Sequence, residues 1–178
     1  MKILETERLI LRPWRLSDAD DMFEYARNPN VGPMAGWEPH ASKEVSLNII
    51  KSFIETNEVW AVVYKENNKV IGSLGIHPDK RRRNESSRSM GFVLSEEYWG
   101  RGLMTEAARL VIKHIFEEMK IELLSIVHYT VNNRSRRVIE KCGFKYEGIL
   151  RQASTTYNGT VHDDVCYSMT KEEYYATR

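Results

Sequence analysis

Between Phe92 and Ala108 an apolar, strand-like run leads into a turn with two glycines one residue apart, and an unbroken helical pattern follows: Phe-Val-Leu-Ser-Glu-Glu-Tyr-Trp-Gly-Arg-Gly-Leu-Met-Thr-Glu-Ala-Ala. No other segment limits the possible folds as much. The first turn of a helix carries unpaired backbone N–H groups and a partial positive charge. Gly100 and Gly102 lack the Cβ that would hold a ligand off the backbone. Strand, glycine turn and helix together form a seat for phosphate or pyrophosphate.

Two common phosphate ligands fit poorly. A dinucleotide site wants G-x-G-x-x-G and an acidic residue about 20 residues further on. Thr105 stands at the third glycine position, and the next strand candidate has only Glu122 at its start. A nucleotide P-loop ends in Gly-Lys-Ser/Thr, a tripeptide that does not occur in the chain.

Tyr98-Trp-Gly-Arg-Gly-Leu-Met-Thr-Glu-Ala107 resembles the acetyl-CoA pyrophosphate loop of the GNAT N-acetyltransferase superfamily, Q/R-x-x-G-x-G/A. Glu97 stands at the Q/R position, a departure associated with the RimJ/RimL branch (ribosomal-protein-alanine acetyltransferase-like). Glu5-Thr-Glu-Arg-Leu-Ile-Leu-Arg-Pro-Trp14 resembles the first strand of that branch. Asn132-Asn-Arg-Ser-Arg-Arg-Val-Ile-Glu-Lys-Cys-Gly-Phe144 resembles its N-x-x-S…K-x-G-F segment. Glu147–Arg151, Asn158-Gly159 and Asp163–Met169 resemble its closing hairpin. These matches keep the family's order over nearly all of the 178 residues. The resemblance implies an α+β (mixed α/β) GNAT fold. Its sheet is mixed and mostly antiparallel, flanked by helices, with two splayed parallel central strands. It also implies one domain over residues 1–178.

Composition is ordinary for a soluble globular protein. Hydrophobic residues make up 42% of the chain and charged residues 29%, and the net charge is only +1. No global field draws such a chain to nucleic acid or to a membrane surface. Its apolar runs are shorter than the roughly 20 residues of a membrane span, and no charged-then-apolar leader precedes them. Two cysteines, Cys142 and Cys166, are too few for a disulfide scaffold, so the expected setting is the reducing cytoplasm.

Periodicity predicts strands over Ile3–Trp14, Val59–Lys65, Val70–Ile76, Arg88–Leu94 and Leu123–Val131. It predicts helices from Ser17-Asp-Ala-Asp20 to about Asn28, from Ser42 on, over Gly102–Met119 and over Ser135–Cys142. The second helix would carry Val45, Ile49, Ile50, Phe53 and Ile54 on one face. A hairpin turns at Asn158-Gly159, and Thr170–Glu173 caps a last helical turn. Trp14 and Trp60 read as core residues.

For the chemistry, the resemblance implies acetyl-CoA as co-substrate and no metal. Its pantetheine arm would pair with backbone near Phe92, Val93 and Leu94. Its pyrophosphate would lie on the N–H groups of Gly100, Arg101, Gly102, Leu103, Met104 and Thr105. Arg137 and Lys141, with Arg101, Arg134 and Arg136, surround the expected CoA phosphates, and Asn132 suits the pantetheine amides. Attack of an amine on a thioester needs a base for the amine proton and a donor for the leaving thiolate. In many relatives a tyrosine donates, but that position is Ile139 here. Ser135 is the substitute within the catalytic Asn132–Ser135 segment, and its plain structural alternative is a helix cap.

Trp37, Glu38, His40, His77 and Asp163 are the candidates for the acceptor pocket. His128, Tyr129 and Asp164 are further candidates for the base. Lys80–Arg83 reads as a solvated loop, or as a contact for an acidic macromolecule. The expected function is acetyl-CoA-dependent N-acetylation of a primary amine, foremost a protein N-terminal α-amine. The alternatives are a small-molecule amine and a non-catalytic CoA-binding module. The expected partners include no specific nucleic acid and no membrane, and the chain is expected to be a monomer or homodimer.

Overall fold

The computed structural model describes residues 1–176. Where a single strand was expected over Ile3–Trp14, the chain forms a tight hairpin. β1 (Leu4–Glu5) and β2 (Leu9–Arg12) pair antiparallel, with Leu4 opposite Leu11. The cause is local. Thr6 N–H donates to the Leu9 carbonyl at 3.0 Å, and Thr6 Oγ1 accepts from Leu9 N–H at 2.9 Å, so the chain reverses at Glu7-Arg8.

α1 (Ala19–Ala26) follows a 3-10 turn at Leu16–Asp18. Ser17 lies inside that turn and does not cap α1; Asp18 precedes α1 without a side-chain bond to it, and its carboxylate instead closes the 3-10 turn, accepting from Arg15 N–H and from Arg12, each at 2.8 Å. α2 (Lys43–Thr56) opens on the expected Ser42, whose Oγ accepts from Val45 N–H at 3.4 Å. It buries Ser46 and Ile50 and packs Leu47 and Phe53 on the core, while Val45, Ile49 and Ile54 are exposed. At about 100° per residue, Val45 and Ile49 lie well around the helix from Ile50, and Ile54 falls in the last turn.

Next come β3 (Val59–Tyr64), β4 (Lys69–Pro78), β5 (Ser87–Leu94), α3 (Leu103–Glu118), β6 (Leu123–Tyr129), α4 (Asn133–Lys141), β7 (Lys145–Thr155), β8 (Val161–Thr170) and α5 (Lys171–Ala176). The eight strands run in the order β1-β2-β3-β4-β5-β6-β8-β7, mostly antiparallel with one parallel pair, β5–β6. The fold is mixed α/β, as expected.

The chain divides into two compact units, Met1–Gly75 with Phe92–Ala107 and Ile76–Gly91 with the chain from Ala108 on. In the first, Trp14, Met22, Tyr25, Ile50, Val59 and Val63 form a buried cluster. In the second, Ile115, Phe116, Leu124 and Ile139 are each at most 1% exposed. Burying a side chain of that size contributes about 1.5–3 kcal/mol.

Within the second unit, parallel pairing of β5 with β6 runs from Ser87–Leu123 to Met90–Ile126 and does not continue to Gly91 and Val127. The far edge of β6 pairs with β8 out to Tyr129–Asp164. β7 has two register shifts against β8, at Tyr146/Gly148 and at Leu150/Ser154. Gln152 lies in the second, at φ 52, with its N–H held by Asp163 Oδ1 at 2.8 Å.

Candidate active site

In the first unit the glycine turn has the conformation its sequence requires. Gly100 (φ 75) and Gly102 (φ 77) are both left-handed, where a side chain would be strained. A Cβ built on Gly100 would meet nothing within 4 Å, and one on Gly102 only Arg8 Nη2 at 3.8 Å. The surface over the turn is therefore open. α3 starts directly behind it, with Glu106 N–H on the Gly102 carbonyl at 3.0 Å.

The turn is tied down from two sides. Arg101 lies over the rings of Tyr64 and Tyr98, 5.0 and 5.3 Å from their centroids, and donates to Tyr64 Oη at 2.7 Å. Arg8 forks onto Glu106 Oε2, with Nε at 2.8 Å and Nη2 at 2.6 Å, and its Nη1 donates to the Arg101 carbonyl at 3.1 Å. Burial alone would push the Glu106 carboxyl up, but hydrogen bonds from Thr6 and Arg8 outweigh it and hold the group below its ordinary value.

The strand before the turn is packed closely. Gly72 is obligatory, since a Cβ there would stand 2.3 Å from the Val93 carbonyl oxygen. Phe92 and Val93 are half-buried and Leu94 is buried. The Leu94 carbonyl accepts from the Trp99 indole at 2.8 Å, so that acceptor already has one partner.

The loop after α1 folds inward more than its composition predicts. Trp37 is half-buried over Gly32 and lies 5.1 Å from the His40 ring. His40 is buried, with Nδ1 2.8 Å from Ser46 Oγ, and desolvation lowers its pKa. Glu38 is exposed beside them.

In the second unit α4 starts on Asn132, whose Oδ1 accepts from Ser135 N–H at 3.1 Å. The cap is therefore Asn132, and Ser135 is the third residue of the helix. That corrects the expectation that Ser135 begins it. The Ser135 side chain is half-buried, and its hydroxyl takes no hydrogen-bond partner among the described residues. Ile139, at the position where the resemblance leads one to expect tyrosine, is fully buried, which suits an aliphatic residue. Arg137 and Lys141, one turn apart on α4, are exposed, whereas Arg136 is paired with Glu140 at 2.7 Å.

His77 is half-buried near the end of β4. His128 is buried, and its Nδ1 lies 2.7 Å from the Tyr129 carbonyl. A carbonyl only accepts, so Nδ1 carries a proton, and the buried Nε2 is without a partner among the described residues. Asp163 holds the β7 bulge through Gln152 N–H, and fully buried Asp164 accepts from Arg81 and from Ser154 Oγ. Arg82 bridges Asp79 at 2.7 Å and Glu147 at 2.6 Å. Two arginines of the Lys80–Arg83 run are thus neutralised inside the unit. Sequence reasoning missed this because their partners lie up to 83 residues away. Burial pushes the Cys142 thiol up to about 11, against a smaller opposing effect of Arg109, and also raises Cys166. Neither suits a thiolate nucleophile.

Comparison with known proteins assigns the class. Residues 8–145 match the acetyltransferase (GNAT) domain, and the chain belongs to that family. It is 32% identical over 176 residues to the uncharacterized N-acetyltransferase YoaA of Bacillus subtilis (strain 168), covering 95% of this chain and 97% of that one. Its fold matches ribosomal-protein-S5-alanine acetyltransferase from Vibrio fischeri with a TM-score of 0.76 at 24% identity, over 98% of this chain and 99% of that one. It also matches the microcin C7 self-immunity acetyltransferase MccE, solved with acetyl-CoA and AMP, with a TM-score of 0.79 at 20% identity over 93% of each. The protein is thus a GNAT N-acetyltransferase. Among the described residues no helix is long and apolar enough to cross a membrane.

Proposed function

We propose that residues 1–178 act as one acetyl-CoA-dependent N-acetyltransferase domain of RimJ/RimL type, with a protein N-terminal α-amine as acceptor. The observation that carries the acetyl-CoA half is the open glycine turn ahead of α3. Two left-handed glycines with free space above them, followed by a 16-residue helix, fit a pyrophosphate. Residues Gly100 to Thr105 would hold it through backbone N–H groups. Phe92, Val93 and Leu94 would align the pantetheine arm, Asn132 would contact its amides, and Arg137 and Lys141 would meet the outer phosphates.

In the reaction a C–N bond forms, the C–S bond breaks and the amine proton passes to a base or to water. An α-amino group titrates near 8, so a weak base suffices. The Ser135 hydroxyl is not engaged in capping and would protonate the departing sulfur. For the acceptor, the support is the ordered resemblance to the RimJ/RimL branch, the ribosomal-protein acetyltransferase among the structural neighbours, and exposed Glu38 beside Trp37, which would attract an ammonium group. His40, His77 and Asp163 complete the acceptor side in this reading.

One observation favours a small amine instead. With Arg81 and Arg82 in internal ion pairs, the basic loop has less charge to offer an acidic macromolecule. Comparing kcat/KM for an Ala- or Ser-initiated peptide with that for polyamines and amino acids decides between the two. The peptide is expected to win. A tenfold preference for a small amine, about 1.4 kcal/mol in transition-state binding, replaces the first reading with the second.

A further inference from the structure

We infer that Arg8 is a positioning residue for the glycine turn, pinning its shape through the Arg101 carbonyl and keeping it receptive to an anion by neutralising Glu106. The inference rests on reading the turn as the CoA pyrophosphate seat.

The geometry lies within the first unit. Arg8 stands in the β1–β2 turn, 98 residues before Glu106. Its Nε and Nη2 grip Glu106 Oε2, its backbone N–H donates to Oε1 at 3.3 Å, and its Nη1 reaches the Arg101 carbonyl. All three guanidinium nitrogens are engaged. The carbonyl they reach lies between the two left-handed glycines, where the turn would otherwise be free to swivel. The 3.8 Å from Nη2 to a Cβ built on Gly102 puts the guanidinium alongside the residue that opens α3.

The charges give the arrangement its sense. Glu106 falls in the first turn of α3. There a carboxylate favours the helix, and by the same field it repels a phosphate approaching the same end. A seat for an anion with an anion built into it needs a counter-charge, and Arg8 supplies one. A lysine would bring the charge but not the planar fork that serves Glu106 and the carbonyl together.

The test is calorimetric titration of CoA into the full chain and three variants, R8A, E106Q and R8A/E106Q, with KM and kcat for acetyl-CoA measured alongside. A mere structural brace predicts that R8A and E106Q weaken CoA alike, because each breaks the same ion pair. The positioning role predicts opposite signs. R8A should weaken CoA about tenfold, E106Q should tighten it about twofold by leaving Arg8 uncancelled, and the double variant should recover only the part of the loss due to the bare Glu106 charge, the missing pin keeping it weaker than wild type. The R8A effect should lie in KM rather than kcat. If R8A does not fold, E106Q and R8K decide: E106Q that weakens CoA, or R8K that binds fully like wild type, overturns the inference. Wild-type protein that binds no CoA overturns the reading of the seat and the inference with it. Wild-type binding, with R8A and E106Q shifted in the same direction, overturns the inference alone.

Discussion

The two helices proposed to meet the acyl donor begin in opposite ways. α3 starts behind Gly102, which has no side chain to cap the first turn, and that turn is held from outside by Arg8, Glu106 and the Arg101–Tyr64 contact. α4 starts on Asn132, which satisfies the Ser135 amide with its own side chain. In the proposed reading the first arrangement would present backbone N–H groups to a ligand, and it relies on distant charged residues for its shape. The second is local and electrically neutral, and it releases a hydroxyl from capping duty. A helix start that serves a ligand is built by tertiary structure, and one that serves the helix is built by its own cap.

The largest effect expected from this contrast is at α4. If the freed hydroxyl protonates the thiolate, Ser135→Ala should lower kcat about 10²-fold while CoA affinity changes little. Wild-type turnover in that variant would leave Ser135 a bystander. Next in size is Gly102→Val. A β-branched residue at φ 77 is strained by about 1–2 kcal/mol, but the surroundings leave room for it, so the chain should still fold. CoA should then bind about tenfold more weakly, roughly 1.4 kcal/mol. Unchanged affinity by calorimetry in a folded variant would remove the turn from the site.

The smallest effect is on acid stability. Glu106 titrates below its ordinary 4.5. A carboxyl with a depressed folded-state pKa contributes stability above the unfolded value and loses it as the pH falls through the folded one. The turn before α3 should therefore loosen below about pH 4.5, by a few tenths of a kcal/mol for so accessible a pair, whereas the Asn132 cap should not respond. Hydrogen-exchange protection of Gly102–Glu106 compared with Asn133–Arg136, followed into acid, reports this. Equal losses at both starts would sink the distinction.

Much of this was legible in sequence because its causes are local. The glycine pair, the Ser42 cap and the turn at Asn158-Gly159 lie where their residues predict, and the Thr170–Glu173 box closes in both directions. Trp14 and Trp60 are core, as expected. What was misread depends on partners far along the chain, or on one competing side chain. Asn132 took the cap from Ser135 because its oxygen sits three residues ahead of the amide it accepts. The hairpin at Thr6 hid inside a stretch whose partial alternation reads as one strand, although Glu5-Thr-Glu-Arg8 is polar throughout. Arg81 and Arg82 looked solvated because nothing nearby in sequence announces Asp164 or Glu147. Nor does any periodicity place Arg8 on Glu106.

β7 has a consequence for the protein's behaviour at high concentration. It ends the strand order and is exposed along nearly all of its 11 residues, with Tyr146, Ile149 and Leu150 open to solvent. A long, straight, apolar rim of that kind would template strands from other molecules. The two bulges bend it, Gln152 breaks its regular backbone, and Lys145, Glu147 and Arg151 put charge along it. The clamp of Asp163 on Gln152 thus guards the chain against strand-by-strand aggregation as much as it shapes the hairpin.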